Sequence, residues 1–428
     1  MTLRKAGYLP RIVDEKIKEY LNVFSALSIE GPKWCGKTWT SLNHAVSVNY
    51  IMDPAGGYSN RERALINPAL ALEGTKPHLI DEWQEVPGIW DAVRFDADQG
   101  HGPGQYLLTG SVSPPREEYI HSGTGRFAMI RMRSMSLFES GDSQGTISFA
   151  ALFRGESIDP FSADIDLREL IDITVRGGWP QTLGIPASGA MHLSVEYLNL
   201  VSKNELFRSN DKRRNTAKLS KLLRSLARNN ATTVNLSTLS LDTDAGQTQS
   251  EISLSRQTTT AYLDDLRRIY VIEEIPGWTP EIRSKTRMRM ASKLVFVDPS
   301  LAIAALGLNR ARLMRDLNTY GFMFENLCLR DISIYAENMG GSVFHYRDNS
   351  GLEADAIVEL PDGAWGAFEI KLGEHQVESA AQSLRRLRDK MVSSGSEPPV
   401  CLCVITGGGF GRLRKDGVYV IPIIALKP

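Results

Sequence analysis

Gly31-Pro32-Lys33-Trp34-Cys35-Gly36-Lys37-Thr38 follows the apolar run Phe24-Ser25-Ala26-Leu27-Ser28-Ile29. A short strand, a glycine-bounded loop and Lys-Thr opening a helix make the pattern G-x-x-x-x-G-K-[ST]. Backbone N–H groups of such a loop point inward to hold a triphosphate, and the helix N-terminus behind them adds partial positive charge. Lys37 is placed to reach the β- and γ-phosphates, and Thr38 to offer its hydroxyl oxygen to Mg²⁺. Gly31 to Thr38 are therefore the candidate ATP-binding residues. A surface turn matching by chance is the competing reading, and the strand before the loop argues against it.

Working outward, Val46 to Pro54 is a β-rich run ended by Asp53-Pro54, and Pro77-His78-Leu79-Ile80-Asp81-Glu82-Trp83 is an apolar strand ending in two acids. Such a strand after a nucleotide loop fits a Walker B motif. Asp81 would hold Mg²⁺ through water, and Glu82 would orient and polarise the attacking water. Gln105-Tyr106-Leu107-Leu108-Thr109-Gly110-Ser111 ends in small polar groups, making Thr109 and Ser111 candidate γ-phosphate sensors. Strands at 24–29, 46–52, 77–81 and 105–109 with helical or loop segments between them predict a parallel sheet wrapped by helices. The nucleotide would lie at their carboxyl ends. Arg126, after Gly123-Thr124-Gly125, could reach a neighbouring subunit's γ-phosphate; it reads equally well as a surface arginine.

With 428 residues the chain is long for one core, so two to four domains are expected. A net charge of −1 gives no global attraction to nucleic acid, so any DNA contact must come from local patches. No apolar stretch approaches the ~20 residues that span a bilayer, and Met1 to Lys5 leads into no signal-like segment. The four cysteines, Cys35, Cys328, Cys401 and Cys403, are too scattered for a disulfide framework. Cys401 and Cys403 alternate along an apolar run and read as buried strand thiols. The histidines show no ligand spacing. The expectation is a cytoplasmic protein without structural zinc or a membrane partner.

Taken together, the P-loop, Asp81-Glu82, Leu108 to Ser111, and Gly125-Arg126 before Met135-Ser136-Leu137-Phe138-Glu139 resemble a bacterial and archaeal family of AAA+-type ATPases (the AAA_14/DUF4143 type). The resemblance implies an α/β P-loop NTPase core followed by a helical lid, with residues 165–207 fitting the lid. Arg176-Gly177-Gly178-Trp179-Pro180 looks like the family's glycine–proline lid motif. It also implies an active site completed between subunits of a ring, a hexamer. The bulky Trp34-Cys35 departs from the usual loop, but interior loop side chains commonly point away from phosphate.

The middle of the chain is a candidate DNA reader. Lys212-Arg213-Arg214 opens a basic segment continuing through Lys218, Lys221, Arg224 and Arg228, while Leu219, Leu222, Leu223 and Leu226 recur at helical spacing. Ser255 before Arg256-Gln257-Thr258-Thr259-Thr260, then Tyr262, Leu263 and Leu266, looks like a recognition helix of a helix-turn-helix. Ile269 to Ile275 follows as a strand, and Arg283 to Arg289 as a basic, wing-like stretch that would grip phosphates without reading sequence. Asp264 and Asp265 argue mildly against deep groove insertion. A protein-docking role for the same fold stays open.

From about 318 the pattern changes. Glu325 lies in an apolar helix, Asp355 on the strand after Gly351-Leu352-Glu353-Ala354, and Glu369 and Lys371 two apart on the next, Trp365-Gly366-Ala367-Phe368-Glu369-Ile370-Lys371. Residues two apart share a strand face, so Glu369 and Lys371 project together. A helix over 374–394 and a strand over 399–405 complete an order that resembles the PD-(D/E)XK nuclease fold. That resemblance implies Mg²⁺ held by Glu325, Asp355 and Glu369, with Lys371 positioning the water.

The sequence thus predicts an AAA+-type ATPase core at 1–160, a helical lid at 161–210, a winged-helix-like DNA-binding region at 211–305 and an α/β nuclease-like domain at 306–428. ATP and Mg²⁺ are the expected cofactors, and ATP hydrolysis coupled to DNA binding or remodelling is the leading function, with metal-dependent DNA cleavage by the C-terminal domain left open. A nucleotide-dependent switch or scaffold, its nuclease-like domain inactive and binding protein, is the alternative.

Overall fold

A computed structural model describes residues 2–112, 125–205, 216–242, 255–280 and 290–428. The chain divides into two units: Met1–Met135 with Trp179–Gln181 and Arg268–Val271, and Ser136–Gly178 with Thr182–Arg267 and Ile272–Pro428.

In the first unit the apolar runs around the glycine loop become strands β1 (Ala26–Glu30), β2 (Ser47–Tyr50), β3 (His78–Asp81), β4 (Tyr106–Gly110) and β5 (Phe127–Arg131). They form one sheet in the order β2-β3-β4-β1-β5, every neighbouring pair parallel. Every residue of the central β1 and β4 is buried. That is the continuous apolar pattern of a strand covered on both faces. Around the sheet run helices α1 (Val13–Leu21), α2 (Lys37–His44), α3 (Ser59–Ile66) and α4 (Gly88–Ala97). On one side Trp83, Ile89, Trp90 and Val93 pack against Ile80 and Leu108, and Trp90 stacks on Phe127 with ring centres 4.0 Å apart. Register then does the functional work. Glu30 stands opposite Gly110, and Asp81 opposite Thr109. Gly31, Asp81, Glu82, Thr109 and Ser111 therefore all emerge at the carboxyl edge of the sheet. The four expected strands are present; β5 was not anticipated, because Phe127-Ala128-Met129-Ile130-Arg131 alternates buried and exposed residues as an edge strand does.

The second unit opens with two short helices, α5 (Leu137–Ser140) and α6 (Phe149–Phe153), and strands β6 (Ile147–Ser148) and β7 (Phe161–Ala163). Helices α7 (Leu167–Arg176) and α8 (Ala187–Leu200) follow. They cover the stretch expected to be a lid. Next come α9 (Thr216–Arg228), β8 (Thr232–Thr233), α10 (Leu236–Asp242), α11 (Arg256–Arg268), β9 (Ile272–Ile275) and β10 (Lys293–Phe296). On α9 the leucines Leu219, Leu222, Leu223 and Leu226 are buried while Arg224 and Arg228 are exposed, as the helical spacing predicts. The Ser255 hydroxyl accepts from the Thr258 N–H at 3.1 Å and so caps α11. β10 is the centre of a three-stranded antiparallel sheet, β8-β10-β9. The basic segments Lys212-Arg213-Arg214 and Arg283 to Arg289, and Gly123-Thr124, lie outside the described residues.

After α12 (Pro299–Leu306), α13 (Arg310–Arg315) and the long α14 (Leu317–Asn338) come β11 (Ser342–Arg347), β12 (Glu353–Glu359), β13 (Trp365–Lys371), α15 (Val377–Ser393), β14 (Cys401–Thr406), β15 (Gly409–Leu413), β16 (Val418–Pro422) and β17 (Leu426–Lys427). The sheet order is β11-β12-β13-β14-β16-β15-β7, antiparallel through β13, then parallel from β13 to β14 and β14 to β16. Leu384 and Leu387 of α15 pack with Ile357, Ala367, Val404 and Val420 of the strands. β7 adds to the far edge through β15, so residues 161–163 belong to this sheet. β6 pairs with β17. All four cysteines are buried free thiols. Among the described residues no helix is long and apolar enough to cross a membrane.

One buried histidine gives the first unit a measurable acid sensitivity. His78 is 1% exposed, its Nε2 faces the Ala71 carbonyl at 3.1 Å, and its Nδ1 lies 2.6 Å from the Ser47 hydroxyl. Burial, with the charge of Lys76, pushes its imidazole down to about 4. The unfolded chain takes up that proton near pH 6.5, so the folded state is favoured above 6.5 and loses this contribution as pH falls towards 4. In urea titrations at pH 7 and pH 4.5, His78→Gln should destabilise less on acidification than the parent, by about 1–2 kcal/mol.

Candidate nucleotide and carboxylate sites

The glycine loop is shaped by its neighbours. Gly31 has φ +156°, and a β-carbon there would lie 2.0 Å from the carbonyl oxygen of Met132. Gly36 has φ +101° and opens α2. Trp34 also takes a left-handed backbone, φ +68°, where a bulky residue is strained. The Lys37 ammonium donates to the carbonyls of Gly31 at 2.9 Å and Pro32 at 2.7 Å, so it is held inside the loop. The Thr38 hydroxyl donates to Asp81 Oδ1 at 2.8 Å, and the Thr109 hydroxyl to the same oxygen at 2.5 Å. Burial raises the Asp81 pKa, and these two hydroxyls work against that rise. Glu82 sits at φ +60°. Its carboxylate accepts from the Gln84 side chain and, at 3.3 Å, from the Ser111 hydroxyl. The loop, both acids and both sensor candidates thus meet at one place. Hydroxyl and carboxylate oxygens suit a hard cation, so Thr38 and Asp81 fit Mg²⁺.

A cavity of about 680 Å³ opens over this loop, lined by Lys33, Lys37, Thr38, Trp39 and Glu82 and also by Tyr8, Arg11 and Pro180. Sequence reading gave Tyr8, Arg11 and Asp14 no role at the site, yet they brace it. Arg11 donates to the Cys35 carbonyl at 2.7 Å and to the Arg133 carbonyl at 3.0 Å. Asp14 accepts from the Tyr8 hydroxyl at 2.8 Å and the Arg11 N–H at 2.8 Å, and lies 2.6 Å from His44 Nε2. Burial opposes ionisation of Asp14, but these donors outweigh it and hold its pKa below the usual carboxylate value. No motif marks these residues; the signal was only a tyrosine, an arginine and an aspartate spaced before the first strand. Glu30, the residue before the loop, accepts a hydrogen bond from Tyr270.

Arg126 lies elsewhere. Ala26 pairs with Phe127 and Glu30 with Arg131, so Arg126 is at the amino end of β5 while the loop is at the carboxyl end of β1. Five strand residues, 127–131, separate Arg126 from the level of Gly31, about 20 Å along the strand. Arg126 is half exposed and its Nε donates to Asp98 at 2.7 Å. It is turned away from its own chain's phosphate site.

A second cluster forms in the seven-stranded sheet. Glu325 of α14, Asp355 of β12, and Glu369 and Lys371 of β13 line one cavity of about 490 Å³. The Lys371 ammonium lies 2.6 Å from Glu369 Oε2 and 3.1 Å from Asp355 Oδ2. The Ile370 N–H donates to Asp355 Oδ2 at 2.8 Å. A residue the sequence did not single out joins them: Lys293 of β10 donates to Glu325 Oε1 at 2.7 Å and lies 3.6 Å from Asp355 Oδ1. Burial and the charge of Asp355 push Glu325 up to about 7 and Glu369 up to about 8. Asp355 is held down despite its burial by Lys371 and Lys293. Among the described residues no three acids, histidines or cysteines are placed to hold a metal ion. Here ammonium groups stand between the carboxylates, so in this arrangement the cluster does not fit Mg²⁺. Lys293 carried no motif; its only signal was one cation at the head of the apolar run Leu294-Val295-Phe296-Val297.

Residues 23–140 match the family model of an AAA domain. Residues 167–312 and 320–426 match two domains of unknown function, DUF8612 and DUF4143. Similar proteins include uncharacterized proteins of Mycobacterium bovis and Mycobacterium tuberculosis, each 23% identical over 375 residues, which are 83% of this chain and 72% of the relative. Among solved structures, a Walker-type ATPase of Pyrococcus abyssi is similar at 13% identity and a TM-score of 0.39, over 71% of this chain and 97% of that one.

The close approach at Gly31 makes the glycine loop intolerant of any side chain there. Gly31→Ala should lower unfolding stability by about 2 kcal/mol or more, read from urea denaturation, and should abolish binding of a fluorescent nucleotide.

Proposed function

We propose that this protein binds and hydrolyses ATP with the AAA domain and couples that cycle to DNA through the chain beyond residue 160. The observation that carries the first part is the Thr38–Asp81–Thr109 hydrogen-bonded group beside the Lys37 loop. On arrival of a triphosphate, Lys37 exchanges the Gly31 and Pro32 carbonyls for phosphate oxygens, a charge-assisted and stronger partner. Thr38 and Asp81 would hold Mg²⁺, which supplies charge neutralisation on the phosphates. Glu82, aimed by Gln84 and Ser111, orients the attacking water and polarises it. Thr109 and Ser111 read whether the terminal phosphate is present. Arg126 acts on the phosphate of a neighbouring copy in a hexameric ring; its distance from its own loop supports action in trans.

For the rest of the chain we propose the boundaries 161–210 as lid, 211–305 as a winged-helix-like DNA-binding region and 306–428 as a PD-(D/E)XK-type domain. The capped α11, the hairpin of β9 and β10, and the exposed cations of α9 support the DNA role. Glu325, Asp355, Glu369 and Lys371 in one cavity support the nuclease-type reading. The alternative, a switch whose nuclease-type domain does not cut, is favoured by one observation: Lys293 seated against Glu325.

Two substitutions separate binding from turnover. Lys37→Ala should lose nucleotide binding, whereas Glu82→Gln should bind fluorescent ATP normally while phosphate release falls ~100-fold or more. The DNA role predicts that duplex or branched DNA changes the ATPase rate of the full chain and that its binding weakens steeply with salt. An ATPase rate indifferent to DNA and to protein concentration would remove both the DNA coupling and the ring.

A further inference from the structure

Lys293 comes to the carboxylate cluster from a different sheet. β10 is hydrogen-bonded on both sides, with Lys293 opposite Thr233 of β8 and Ile275 of β9. This fixes its backbone at the wall of the cavity, whose lining includes Thr232, Thr233 and Lys293 on one side and Glu325, Asp355 and Glu369 on the other. The ammonium contacts Glu325 Oε1 at 2.7 Å, the Asp355 carbonyl at 3.3 Å and Asp355 Oδ1 at 3.6 Å, with its side chain 10% exposed. Lys371 binds the other oxygen of Asp355 and reaches Glu369.

Charge counting gives this placement a consequence. With all three carboxylates ionised, as a bound divalent ion would require, they and Lys371 alone carry a formal charge of −2, the complement of that ion. With Lys293 seated the formal charge is −1, and a divalent ion entering would meet a fixed positive charge a few ångströms away in a poorly solvated cavity, where that repulsion is large. The oxygens a metal needs are also occupied, since Lys293 takes Glu325 Oε1 and faces Asp355 Oδ1.

We infer that Lys293 is a tethered cation that fills the metal position of the carboxylate cluster and keeps divalent ions out until its side chain withdraws. This rests on the nuclease-type reading of the same cluster and deepens it: the site is locked by a residue of the middle region. Replacing the ammonium by an apolar side chain of similar length opens the cage; keeping the charge keeps it shut.

The test is Mn²⁺ binding to the nucleotide-free full-length chain, followed by electron paramagnetic resonance, for the parent, Lys293→Met, Lys293→Gln and Lys293→Arg. The lock predicts that the Met and Gln variants bind one additional Mn²⁺ on the order of tenfold or more tighter than the parent, and that the Arg variant does not. Adding Glu325→Gln to Lys293→Met should abolish the gain. Parent and Met variant binding with equal affinity, through a site that Glu325→Gln or Glu369→Gln removes, overturns the lock and leaves the nuclease-type reading standing. No site in the parent or in any folded variant overturns both. An equal gain in Lys293→Arg overturns the lock, because charge is then not its basis. Should neither neutral variant fold, the parent alone still decides against the lock if it binds Mn²⁺ at micromolar concentration through a site that Glu369→Gln removes.

Discussion

The carbonyl oxygen of Met132 stands where a side chain on residue 31 would begin. The loop can leave β1 only through a glycine, and it does so against a neighbouring strand, because the Met132 N–H donates to the Glu30 carbonyl at 2.7 Å. The pairing of β1 with β5 and the path of the nucleotide loop are therefore one constraint. Arg11 adds to it from another direction, tying the Cys35 and Arg133 carbonyls together. A loop so braced presents its N–H groups in advance of any ligand, which is how binding avoids spending its energy on ordering the site. Lys37 is held by two carbonyls inside the loop.

Two sets of acids in this protein are neutralised in different ways, and the difference sets what each can bind. Asp81 is surrounded by hydroxyl donors from Thr38 and Thr109. Hydroxyls stabilise a carboxylate without cancelling its charge, and their own lone pairs remain available to a cation. Glu325, Asp355 and Glu369 are instead met by ammonium groups, which cancel charge and offer no lone pair. The first arrangement leaves oxygen lone pairs that a divalent cation could use; the second presents ammonium hydrogens instead.

The five-stranded sheet of the first unit was legible because most of its strands are short apolar runs ended by chemistry-bearing residues, and both signals coincide at Gly31, Asp81 and Thr109. β5 was not, since an edge strand with alternate residues exposed lacks a continuous apolar run. α11 and α15 were legible from periodicity and from the capping serine. The long-range contacts were not. Tyr8, Arg11 and Asp14 act through carbonyls and side chains tens of residues away, and Tyr270 meets Glu30 across 240 positions of sequence. Glu369 and Lys371 could be placed together by strand period alone. Lys293 could not, because its role depends on the pairing of β10 in a separate sheet.

That pairing also determines how the cluster can change. β10 holds ladder partners on both sides, so its backbone is the stable part, while the lysine side chain has four rotatable bonds beyond it. Movement of the cation therefore requires breaking its contacts with Glu325 and Asp355 but no strand hydrogen bond. An anion in the cavity, whose lining also includes Arg347 and the hydroxyl residues Thr232, Ser379 and Ser383, would offer the ammonium an alternative partner. On this argument the arrival of an anion and the withdrawal of Lys293 would be one event.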